Sequence, residues 1–110
     1  MNKENNGDLC AFHLQLLLDV EEMDRYPFTR LVIDREVTKR EYRQTMHLLD
    51  TLEARYEQEK EIGLMDHTPL LLHYAGMLCP KLPVGESLEA LLEEGLYEEL
   101  ISRLLLLHKP

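Results

Sequence analysis

The chain has 110 residues, enough for one domain with a modest core. Hydrophobic residues make up 45% and charged residues 30%, a globular balance rather than a disordered or membrane-like one. Twelve Lys and Arg against 21 Asp and Glu leave a net charge of −9. That excess argues against nucleic acid and anionic membranes as partners, because both are gripped through cations.

Residues 1–7, MNKENNG, are polar and read as a tail. No cationic start precedes an apolar run, so no signal peptide is expected. No stretch approaches the roughly 20 apolar residues that cross a bilayer. The expectation is a cytoplasmic protein. Asp8 is suited to cap a first helix reaching about Met23, with Leu9, Phe12, Leu16, Val20 and Met23 in one stripe. Leu14, Leu17 and Leu18 widen that stripe until the helix wants partners on two sides.

Pro27 then breaks the chain and biases Tyr26 away from helix. It also suits the first turn of a short helix to about Arg35, with Phe28, Leu31 and Val32 inward. Thr38 and Glu41 make a capping box that can start a helix, and Gly63 can end it. Between them lies no Gly or Pro, so Thr38 to Gly63 predicts the longest helix, on the order of 36 Å. Tyr42, Leu49 and Tyr56, with Thr45 and Leu52 between them, form its inner stripe. Asp66 or Thr68 caps the next helix, with Pro69 in its first turn. Leu70, Leu71, Leu72, Tyr74, Ala75, Met77 and Leu78 are apolar nearly all round, which predicts a place at the centre of the fold.

Pro80 and Pro83 stop that segment. Glu86 to Glu94 predicts a further helix, with Leu88, Leu91 and Leu92 inward and Gly95 as terminator. Leu96 to about Leu107 predicts the last, carrying Leu100, Ile101, Leu104, Leu105 and Leu107. Leu104 to Leu107 cannot all face one side, so other copies of the chain are expected to cover part of the run. No strand alternation or hairpin turn appears. The expectation is a single all-α domain: a bundle of five or six helices around one long helix, assembled as a homo-oligomer. Leu14, Leu17, Leu18, Leu100, Leu104 and Leu105 are its interface candidates.

Several strings are shared with a known group. Asp24-Arg25-Tyr26-Pro27-Phe28 after Met23, then Leu31, Ile33-Asp34, Thr38-Lys39 and Glu41, resemble the YhaI-like family of small proteins from Bacillus-type bacteria. Gly95-Leu96-Tyr97 with Glu99-Leu100 fits the same family, so the likeness spans nearly the whole chain. It implies an all-helical fold, a homo-oligomer, no assigned biochemical activity and no catalytic residues to carry over. Asp24 to Phe28 could be a recognition surface. The structural reading is the stronger one: Pro27 sets a corner, Phe28 anchors it, and Asp24 with Arg25 satisfies helix ends.

Candidate chemistry is sparse. His47 and Asp50 share one face of the long helix and could begin a metal site, with His67 as a third member. No His-Glu-x-x-His string accompanies them. His73 and His13 lie among leucines as packing residues, and His108 sits near a helix end. Cys10 and Cys79 stand apart, outside any Cys-x-x-Cys string, and read as free buried thiols. The acidic groups Glu21-Glu22, Glu57-Glu59-Glu61 and Glu93-Glu94-Glu98-Glu99 read as wet faces. Lys39, Arg40 and Arg43 are the only local basic cluster, and the net charge opposes DNA binding through it. The sequence thus points to a non-catalytic interaction or regulatory protein that needs no cofactor, with itself or an unknown protein as partner. The alternative is a metal-dependent or small-molecule enzyme whose site, using His47, Asp50 and His67, forms across subunits.

Overall fold

The computed structural model describes residues 25–109, and they form an all-α bundle. Five helices run in order: α1 (Pro27–Asp34), α2 (Lys39–Glu61), α3 (Thr68–Met77), α4 (Val84–Glu94) and α5 (Glu98–His108). The expected Asp8–Met23 helix, with Leu14, Leu17, Leu18 and Asp24, lies outside the described residues. α1 packs on α4, α4 on α5, and α2 on α3; α5 also meets α3 and α2.

The long helix begins as its sequence dictates. Thr38 Oγ1 accepts from the Glu41 N–H at 3.1 Å, and Glu41 Oε1 accepts from the Thr38 N–H at 3.0 Å. Lys81 Nζ joins the same carboxylate at 2.8 Å and also donates to the Glu36 carbonyl at 3.0 Å. Burial acts to raise the Glu41 pKa. The Lys81 and Thr38 hydrogen bonds outweigh it and hold the carboxyl below its ordinary value. Over 23 residues α2 extends about 35 Å. Thr45, Leu49, Leu52 and Tyr56 form its buried stripe, while Tyr42 is half-buried.

Three helices end the same way. After α2, the Gly63 N–H reaches the Lys60 carbonyl and the Leu64 N–H reaches that of Glu59. After α4, Gly95 and Leu96 repeat the pattern on Leu92 and Leu91. Both glycines take the left-handed conformation this ending requires, at φ +79° and +83°. After α1, Glu36 and Val37 bond to Ile33 and Val32 in the same pairing. There the left-handed residue is Glu36, at φ +53°, a conformation glycine adopts more readily.

The core is apolar and continuous: Phe28 and Val32 of α1, Leu49 and Leu52 of α2, Leu70 and Tyr74 of α3, Leu88 and Leu91 of α4. α5 adds Leu100, Ile101 and Leu104, all fully buried. This corrects the interface expectation for Leu100, Leu104 and Leu105. One chain buries them by packing α5 among α2, α3 and α4, and the wet leucines of that run are Leu106 and Leu107. The central place expected for α3 is also corrected. Only Leu70 and Tyr74 of α3 are buried, and among the described helices it packs mainly on α2 and α5. Its N-cap is His67, not Asp66 or Thr68, although Asp66 Oδ1 still accepts from the Thr68 N–H at 3.0 Å.

The motif around Pro27 has a structural partner far along the chain. Pro27 opens α1 and Phe28 is buried in the core. Tyr26 offers no side-chain cap. Glu94 supplies one: Oε1 accepts from the Phe28 and Thr29 N–H groups at 2.9 and 3.0 Å, and Oε2 accepts from the Thr29 hydroxyl at 3.3 Å. A carboxylate at a helix N-terminus meets both orphan donors and the positive end of the dipole. Pro27-Phe28 and Gly95-Leu96-Tyr97, two strings distant in sequence, are therefore joined through the residue before Gly95.

Candidate functional site on the α2–α3 face

The side chains proposed as metal ligands go to three different places. Asp50 accepts a hydrogen bond from the Tyr97 hydroxyl of the α4–α5 turn. That hydroxyl is pushed well above its ordinary range by burial and by Asp50 itself. His67 is buried under the end of α2, its Nδ1 2.8 Å from Glu59 Oε1 and its ring edge-on to Tyr56 at 4.8 Å. Only His47 faces an open groove. Among the described residues no three His, Cys, Asp or Glu side chains come close enough to hold a metal ion. The expected grouping of His47, Asp50 and His67 is therefore not formed within the described chain.

Two acids read as wet faces are structural. Glu59 holds His67, and Glu94 caps α1. Cys79 is a free, half-buried thiol, and burial pushes its pKa up, which opposes thiolate chemistry. Its neighbours enclose a cavity of about 140 Å³ with Thr45 and Pro80.

What the helices do build is a groove of about 590 Å³ between α2 and α3. Arg43, His47 and Thr51 stand four residues apart, one turn above another on α2, beside Gln44 and Leu48. His73 and Met77, also four apart, form the α3 wall. Among the described residues no carboxylate lines the groove. Arg55 Nη1 lies 2.7 Å from His73 Nδ1. A guanidinium only donates, so that ring nitrogen accepts and the proton of a neutral His73 sits on Nε2. Sequence reading missed this groove. The four-residue rows on each helix were visible, but their facing one another was not.

Beside the groove the outer face of α3 is apolar and open. Leu72 is 67% exposed, and a Cβ added to Gly76 would meet nothing within 4 Å, while Met77, 68% exposed, stands at the groove. The turn leading into α3 adds Ile62, Leu64 and Met65. Five of the seven exposed large hydrophobics among the described residues thus fall in one stretch of sequence, between Ile62 and Met77. No described helix is long and apolar enough to cross a membrane.

A family model described as a protein of unknown function (DUF1878) matches residues 3–109 of this sequence. The match takes in the helical bundle and the α2–α3 face alike, and the chain belongs to that family.

Proposed function

We propose that this is a non-catalytic interaction protein of the bacterial cytoplasm that works as a homo-oligomer, with the outer face of α3 as its self-association surface. The observation that carries the reading is the contrast within α3. Its residues are apolar nearly all round, yet Leu72, Ala75 and Gly76 face solvent in the single chain. A helix with that composition is normally enclosed, and a second copy offers the same surface in return. Small residues at Ala75 and Gly76 let another helix approach closely. The resemblance to YhaI-like proteins of Bacillus-type bacteria points the same way, and the free Cys79 thiol suits a reducing compartment.

Light scattering on purified protein at micromolar concentration tests this. A mass well above the 13.0 kDa of one chain is expected, falling to one chain in the Leu72→Glu variant with unchanged helicity. A single-chain mass for the unmodified protein overturns the proposal.

A further inference from the structure

We propose that the α2–α3 groove binds a small organic anion with an apolar body, of the kind represented by a medium-chain carboxylate. The groove shares no lining residue with the self-association surface of Leu72, Ala75 and Gly76. Its volume is within the ~300–1,000 Å³ typical of small-molecule sites. Leu48 and Met77 supply apolar surface. Every polar side chain in the lining, Arg43 and His47 above all, can donate, and among the described residues no carboxylate lines it. Arg43 is exposed, and among the described residues it has no ion pair, so its guanidinium is open to a carboxylate in a two-pronged contact.

The charge pattern is what selects an anion. In a chain at −9, a groove that carries Arg43 and, among the described residues, no Asp or Glu favours an anion over a cation. A cationic ligand would meet the Arg43 guanidinium and no carboxylate in the described lining. A neutral apolar ligand would leave Arg43 without a partner. On the far side of the groove, Arg55 fixes the tautomer of His73, so a neutral His73 ring has its N–H free of that contact.

The test uses methyl-carbon NMR of methionine in the full chain, reading Met77, with octanoate, octanol and octylammonium as probes. Octanoate is expected to shift the Met77 methyl signal saturably. Octanol and octylammonium should bind at least about tenfold more weakly, the worth of one charge-assisted contact. Arg43→Glu should weaken octanoate by about tenfold or more while leaving helicity unchanged, and Arg43→Gln should fall between. The Leu72→Glu variant should bind octanoate like the parent, which separates a failure here from a failure of self-association. No saturable Met77 shift up to about 10 mM octanoate overturns the proposal. So does equal binding of octanol, or binding indifferent to Arg43→Glu.

Discussion

α3 and α5 are both leucine-rich, and the bundle treats them in opposite ways. α5 is packed against α2, α3 and α4, and hides Leu100, Ile101, Leu104 and Leu105. Among the described helices α3 meets mainly α2 and α5 and hides Leu70 and Tyr74, leaving Leu72 and Met77 wet. Between these two helices, burial follows the neighbours each one meets rather than its leucine content. Among the described residues most of the exposed large hydrophobics therefore sit on α3 and the turn before it, although the longest leucine run is on α5.

The largest expected effect tests that contrast within one run of leucines. Leu104→Ala empties a fully buried site and should cost about 2–5 kcal/mol. Leu106→Ala, 70% exposed two residues away, should change stability by less than about 0.5 kcal/mol. Urea titrations of both variants check this, and equal losses would mean that the α5 packing is misassigned.

Next comes the tie between α1 and α4. Glu94→Ala removes the acceptor for two backbone donors and a hydroxyl, and should cost about 1–3 kcal/mol. Glu94→Gln keeps one carbonyl acceptor and should lose less. Amide exchange of Phe28 and Thr29 should accelerate in Glu94→Ala well beyond that of α3 amides.

The smallest effect probes the inward side of α3. Ser87 Oγ donates to the Val84 carbonyl at 2.8 Å, so the Tyr74 hydroxyl donates to Ser87 at 2.7 Å. Burial pushes the Tyr74 pKa from 10.0 up to about 12. A pKa raised by folding gives stability that is complete below the unfolded value and is lost as pH rises through the folded one. Stability should therefore fall between pH 10 and about 12, and Tyr74→Phe should flatten that fall. At neutral pH the same variant should cost about 1 kcal/mol. Thermal melts of both proteins across the alkaline range decide it.

Much of the fold was legible because its signals are local. Thr38 and Glu41 form the capping box at three-residue spacing, Gly63 and Gly95 end helices in the left-handed form, and Pro27 opens α1. What was hidden depends on partners distant in sequence. Glu59 and Glu94 sit in acidic runs that read as solvated, and their roles come from His67 and from the start of α1. All-round apolar character in α3 reads as enclosure, because a sequence records what a helix could bury and not what surrounds it. For the same reason the groove could not be seen: its two walls are separate four-residue rows whose register is set by the α2–α3 turn.

Lys81 gives the corner at Thr38 a particular vulnerability. Its ammonium reaches the carbonyl of Glu36, which holds a backbone angle disfavoured for its side chain, and the carboxylate that starts the long helix. One flexible side chain from the segment between two prolines thereby latches two neighbouring joints. Whatever lifts that latch releases both at once, so the entry to α2 and the exit from α1 should loosen as a unit rather than one after the other.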